Sequence, residues 1–399
     1  MVQTLIQKAV LVLTALSFIL TARFADAAID PSSTTVRIIL WRGILPAEPY
    51  PLLPVVFKYR VINDSDSSVT IPPPMQPTYW PRGSFHVLVS DEPTSGLVRR
   101  YCYTFYIQWD SDSSWKYDIL MAPRTSKVFD LVLGYEPIEP TEKFQEPRPP
   151  TKPFNSPEIA IFWKPGLHRI KVLLKAHYQQ PGRVHWFNVE SNEMQVMIEK
   201  PQGEDARAYD LLLHSKTPWM FCHPGAIVSQ SANEAVRSIY ERLPKSVYYP
   251  YAKFVVARDL CRKFDLTPSG EFPPEPLQGL EMLRELSDDH TFPCADLTVW
   301  YLAMDARDIQ TRWRSARFGE LLKGLDLEAQ GKLYRDFKLQ AEIKELPSIK
   351  RAAEYYGEAV KRMRGLLPVH EAEGLTDSYA VGKKAAEVLF EKYRMFFSY

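Results

Sequence analysis

The chain has 399 residues, 45% of them hydrophobic, with 49 Lys and Arg against 48 Asp and Glu. That length exceeds what one core usually serves and predicts at least two structural units. Residues 28–200 carry 19 basic and 18 acidic side chains and residues 201–399 carry 28 and 29, so neither part has the basic excess of a nucleic-acid binder, and that class is disfavoured.

At the N-terminus, Lys8 precedes an uncharged, mostly apolar run from Ala9 to Leu20, and the small-residue pattern Ala25-Asp26-Ala27 follows. The run is too short for a permanent membrane span and reads as a secretory signal peptide over residues 1–27. Export to a periplasmic or extracellular location is therefore expected, with no transmembrane anchor left after cleavage.

Of 33 prolines, 21 lie at or before Pro181, together with five of the nine tryptophans, and a sixth, Trp186, follows just after. Proline is confined to loops, turns and sheet edges, so an apolar, Pro-dense stretch favours short strands. In Val55 to Ile62, Val55, Phe57, Tyr59 and Val61 alternate with Lys58 and Arg60. In Leu167 to Tyr178, Ile170, Val172, Leu174, Ala176 and Tyr178 take one face, and Arg169, Lys171, Lys175 and His177 take the other. This period of two marks strands with one buried face. Further strands are predicted at Val36–Trp41, Ser84–Val89, Tyr101–Trp109, Lys127–Leu133, Val184–Val189 and Met194–Glu199. About eight short strands separated by turn signals predict an antiparallel β-sandwich over residues 28–200. A Pro-rich loop interrupts it at about residues 136–157.

Aromatic residues crowd the middle strands. Tyr79, Trp80, Tyr101, Tyr103, Trp109 and Trp115 are the binding candidates, because alternation puts Tyr101, Tyr103 and Phe105 on the face opposite Cys102, Thr104 and Tyr106. Both faces of one strand are apolar only where something covers the outer one: the rest of the chain, a glycan or a protein partner.

Beyond Pro201 the composition turns to Ala, Leu, Glu, Lys and Arg, all good helix formers. Helices are predicted at Asp205–His214, Ala232–Leu243, Val247–Phe264, Leu277–Leu286 and over much of Ala295–Lys344. Apolar stripes follow through Ile349, Ala353, Tyr356, Val360, Met363 and Leu367, then Tyr379, Gly382, Ala386, Leu389, Tyr393 and Phe396. Residues 201–399 are thus expected to form an all-α helical stack.

The stretches Gly166–Val172 (GLHRIKV), Val189–Val196 (VESNEMQV) and Pro201–Ala206 (PQGEDA) resemble the closing strands of immunoglobulin-like domains in uncharacterised exported bacterial proteins. Ser246–Phe254 (SVYYPYAKF) is similar to helices of tetratricopeptide-like arrays. The resemblance implies a sandwich running directly into a helical region, and it implies no activity.

Cysteines are the remaining chemical cluster. In an exported protein, two of Cys222, Cys261 and Cys294 are expected to pair, Cys222 with either of the others, constraining the unfolded chain by roughly 2–4 kcal/mol. Zinc binding by Cys222, His223, His290 and Cys294 is disfavoured, because adjacent Cys222 and His223 chelate one ion poorly. No cofactor is expected. The sequence contains no His-Glu-x-x-His helix, no Gly-x-Ser-x-Gly elbow and no Gly-rich phosphate loop. Asp288-Asp289-His290 reads as a helix end. The expected function is binding or scaffolding in a cell envelope, through a protein or a glycan. The rival is an envelope hydrolase whose site would gather His214, His223 and His290 where the two parts meet.

Overall fold

The computed structural model describes residues 36–42, 49–71, 85–90, 99–102, 119–133, 160–180, 183–215, 230–267, 269–375 and 377–393. Antiparallel strands occupy the N-terminal part: β1 (Val36–Arg42), β2 (Val55–Asn63), β3 (Val69–Ile71), β4 (Phe85–Ser90), β5 (Arg99–Cys102), β6 (Ile119–Met121), β7 (Thr125–Leu133), β8 (Gly166–Gln180), β9 (Arg183–Glu190) and β10 (Met194–Ile198). Helices follow: α1 (Gly203–His214), α2 (Gln230–Arg242), α3 (Tyr249–Cys261), α4 (Glu275–Asp288), α5 (Ala295–Leu322), α6 (Leu327–Tyr334), α7 (Phe337–Lys344), α8 (Pro347–Gly365), α9 (Val369–Ala372) and α10 (Ser378–Tyr393). None of the described helices is long and apolar enough to cross a membrane.

Strands β1, β2 and β7 form one sheet, and β8 is the spine of a second, pairing with β3, β4, β9 and β10. The inward residues are those that the alternation selects: Val36, Ile38 and Leu40 of β1, Phe57, Tyr59 and Val61 of β2, and Ile170, Val172, Leu174 and Ala176 of β8 share one core. The second sheet also contains β3 and β6, which the sequence reading missed. Three residues each are too few to display a period.

Two polar side chains hold this β part in register, Asn63 buried and Asn192 exposed. Asn63 at the end of β2 donates through Nδ2 to the carbonyls of Met121, Ala122 and Ser67, and its Oδ1 accepts from Ser65. A fully satisfied amide is the form in which a buried polar group is tolerated. Asn192 plays a similar part at β1, accepting from the Leu40 amide at 2.8 Å and donating to the Leu40 carbonyl at 3.0 Å, as a neighbouring strand would.

The two parts share a boundary core. The segment between β1 and β2 carries Leu52 and Leu53, which are buried with Val56 and Ala160 among the apolar residues of the helices. Tyr248, fully buried at the start of α3, donates its hydroxyl to the Pro51 carbonyl at 2.9 Å. Leu52 holds a left-handed backbone, φ 64°, and donates to the Phe162 carbonyl at 2.7 Å. Such a conformation costs a non-glycine residue about 1–3 kcal/mol and persists only where surroundings dictate it. On the helical side, Asp205 of α1 accepts from the Val247 amide at 2.8 Å and the Ser246 hydroxyl at 2.9 Å, fixing α1 to the start of α3.

Two helical stripes differ from expectation. In α8 the buried positions are Ile349, Ala352, Tyr355, Ala359, Val360 and Met363, and Ala353 is exposed. The expected Ile349, Val360, Met363 and Leu367 are buried, but the buried face extends towards Ala352, Tyr355 and Ala359, and Tyr355 rather than Tyr356 turns inward to hydrogen bond Glu281 of α4. In α10 Val381, Ala385 and Leu389 enter the core, whereas Tyr379 is exposed. Both windows contain enough apolar residues to draw two stripes, and only the partner surface selects one.

Helices α3 and α4 meet closely at Gly279. A Cβ there would lie 2.5 Å from the Ala257 carbonyl oxygen and 2.6 Å from Cys261 Sγ. Gly279→Ala is therefore expected to lower stability by about 1–3 kcal/mol, because backbone must move to admit one methyl. Urea unfolding measures it, and an unchanged midpoint would show that the helices slide apart freely.

Candidate functional site

Helix α3 buries Tyr251, Ala252, Phe254, Val255, Val256, Ala257 and Cys261, so it has hardly any polar face, yet Arg258 lies among them. Its Nε sits 2.5 Å from Oδ2 of Asp305 on α5, and both side chains are nearly inaccessible. The guanidinium also stacks over Tyr301 at 3.8 Å from the ring centre. Burial pushes the Asp305 carboxyl above its ordinary range, and Arg258 opposes that only in part. Burial likewise raises the Tyr301 phenol and pushes the Cys261 thiol well up. A thiol so raised is a poor nucleophile. The centre is a closed ion pair between a permanent cation and a carboxylate that ionises at a cost, and its physical effect is to fix α3 against α5. The sequence carried little signal for it, because Arg258 is followed by Asp259 and Asp305 by Arg307 and Asp308, so neither stands out as a lone charge.

A second polar seam joins α4 to α8. Glu281 pairs with Arg284 and accepts from the Tyr355 hydroxyl at 2.5 Å. Arg362 reaches the Ser287 hydroxyl at 2.6 Å and Asp288 at 2.7 Å. Hydrogen bonds from Arg284 and then Tyr355 hold the Glu281 carboxyl below the usual range.

The region from the end of α5 through α7 is built differently. Buried residues of α5 stop at Trp313, α6 has none, and α7 has Ile343 alone. Caps sustain these short helices: Asp326 accepts from the Ala329 amide, and Asp336 from the amides of Lys338 and Leu339. Leu327 is 86% exposed, Phe337 82% and Tyr334 58%, with Tyr334 resting against Phe318 at 4.8 Å. Three large apolar side chains are thus exposed within eleven positions.

The residues singled out from the sequence are scattered. His214 ends α1 and is exposed, its ring beside the carbonyl and carboxylate of Asp210. His290 is exposed in the turn after α4, where Asp289 caps Thr291. His223 lies outside the described residues, so the two described members of the hydrolase trio sit on solvent-facing turns and helix ends. Cys261 and Cys294 are both buried thiols, and neither takes part in the expected disulfide. Cys261 fills the space over Gly279, and Cys294 starts α5, accepting from Thr298 through its carbonyl. Cys222 lies outside the described residues. Of the aromatic candidates, Tyr101 lies in β5 opposite Val87 of β4, whereas Tyr79, Trp80, Tyr103, Trp109 and Trp115 fall outside the described residues, as do residues 1–27 and the Pro-rich loop.

No family model matches the chain, and no curated protein matches it. Among solved structures it is similar to PapD-like domain 7 of human CEP192, at 12% identity over 44% of this chain and 94% of that one, with a TM-score of 0.20. A β-glucosidase from Listeria innocua matches at 14% identity over 39% of this chain and 16% of that chain, TM-score 0.18. Native alpha-2-macroglobulin from Escherichia coli, from domain MG7 to the C-terminus, matches at 9% identity over 88% and 62%, TM-score 0.20. Scores this low carry neither fold nor function across.

Asp305→Asn is expected to cost about 3–5 kcal/mol by leaving Arg258 buried without its counter-charge, and Arg258→Met with Asp305→Leu to recover most of that. Thermal and urea unfolding of the three chains tests it, and a double variant weaker than the single one would contradict it. Glu281 behaves oppositely with pH. Its folded pKa is depressed, so its contribution is complete above about pH 4.3 and is lost as pH falls through the folded value. Glu281→Gln should therefore narrow its deficit to wild type as pH falls from 7 towards 2, and a deficit independent of pH would rule out that linkage.

Proposed function

We propose that the chain is an exported binding or scaffolding protein of a cell envelope, working through protein–protein contact. Its β part is read as an immunoglobulin-like sandwich and its helical part as a tetratricopeptide-like stack, located in a periplasm or outside the cell. The N-terminal apolar run and the small-residue pattern at Ala25 and Ala27 support export. The observation that carries the contact reading is the exposure of Leu327, Tyr334 and Phe337 on capped helices that bury almost nothing of their own. Large apolar and aromatic side chains are the usual anchors of a protein interface. The partner is a protein presenting a complementary apolar patch.

Cross-linked capture from the native envelope, with wild type and a Leu327→Asp/Phe337→Asp variant as bait, tests this. One reproducible partner should be captured by wild type and lost with the variant, while the melting temperature stays near that of wild type, since neither side chain is buried. Equal capture by both chains would overturn the assignment of this surface.

A further inference from the structure

We propose that α6 and α7, between Gly324 and Pro347, unfold and reclose as one local unit while the rest of the helical part stays folded, and so gate the surface assigned above to protein contact. The bonds that hold the pair are all short-range. Asp326 accepts from the Ala329 amide and Asp336 from the amides of Lys338 and Leu339. Gln330 Nε2 donates to the Leu325 carbonyl at 3.0 Å, and Gln340 Nε2 donates to the Tyr334 carbonyl at 2.8 Å, joining the two helices. Each bond closes within six positions of the chain. The Glu328–Lys332 ion pair is equally local and exposed on both sides, where such pairs hold little. Among the described residues, no side-chain hydrogen bond ties α6 or α7 to an element distant in sequence. The α4–α8 seam is built the other way, with Tyr355 reaching Glu281 and Arg362 reaching Ser287 across more than seventy positions.

Apolar packing does not make up the difference. Helix α6 buries no residue and packs extensively on no described strand or helix, and α7 is anchored by Ile343, with Leu339 half-buried beside the helical core. Each helix has eight residues, well short of the roughly 12–15 at which an isolated helix becomes even marginal in water. Gly331 weakens α6 further without a steric reason. A Cβ there would meet only the Arg335 side chain, at 3.8 Å, whereas at Gly279 it would strike backbone. Glycine inside a helix favours the unfolded chain about fivefold over alanine. Gly357 is equally open, but α8 buries six side chains that outweigh it. Both ends of the pair are natural stops: Gly324 takes a left-handed backbone, φ 78°, just after α5, and Pro347 begins α8. Only the closed fraction presents Leu327, Tyr334 and Phe337 in one fixed relation, so a partner's apparent affinity is scaled down by that fraction. This consequence rests on the contact reading, and the opening itself does not.

Hydrogen exchange of the full chain without any partner, resolved by peptide mass spectrometry, is the test. Amides of α6 and α7 should exchange at least about a hundredfold faster than those of α3, yet more slowly than unstructured chain. As urea rises below the unfolding midpoint, the α3 rates should climb while the α6–α7 rates stay flat, because a local opening exposes little new surface. Gly331→Ala should slow exchange in α6 about fivefold, and Asp326→Ala should speed it by a similar factor through loss of the cap. Neither substitution should alter α3. Three results would overturn the proposal: α6 and α7 exchanging as slowly as α3, their rates rising with urea in step with α3, or no protection of α6 even in Gly331→Ala. Equal partner capture by wild type and Leu327→Asp/Phe337→Asp would instead overturn the contact reading and leave these exchange rates as they are.

Discussion

The hydrogen bond from Tyr248 to the Pro51 carbonyl is the constraint on which the two-part arrangement depends. It lies in a buried boundary where an unmade bond would leave a carbonyl without water, a loss of about 1–3 kcal/mol. Around it Leu52 accepts an unfavourable left-handed backbone, because only that bend sends its side chain into the helical core while its amide meets Phe162. Tyr209 adds a second tie, donating to the Trp163 carbonyl at 2.8 Å. The sheets and helices therefore present their surfaces in one fixed relation.

Polar groups inside the molecule act as locators. Asn63 and the Arg258–Asp305 pair each sit where apolar packing alone would permit several registers. Desolvation consumes most of the energy of a buried ion pair, so Arg258 and Asp305 add little net stability. What they fix is the azimuth of α3 against α5, since any other rotation would bury an unpaired charge. The raised Asp305 carboxyl and the inert Cys261 thiol belong to that structural role.

Exposed apolar groups, by contrast, occur where the chain has no internal need of them. The α6–α7 helices are held by Asp326 and Asp336 caps, and their apolar side chains face water. On the outer sheet face Trp186 is steadied by His177 and remains accessible.

The order of secondary structure was legible in the sequence because its signals are local. Val55, Phe57, Tyr59 and Val61 show their period of two within one strand, and Pro347 marks the first turn of α8 without reference to anything distant. Near-neutral charge and the apolar N-terminal run are likewise properties of composition. The exposed faces were not legible, because they depend on register and burial. Leu120, Thr70, His177 and Trp186 are spread over more than a hundred positions and become neighbours only through strand pairing. Tyr355 and Tyr356 are equivalent until Glu281 selects one. The histidines at 214 and 290 looked like partners in sequence, yet each lies in an exposed turn or helix end. Local sequence determined the elements, and tertiary packing decided which side chains were left for water or for a partner.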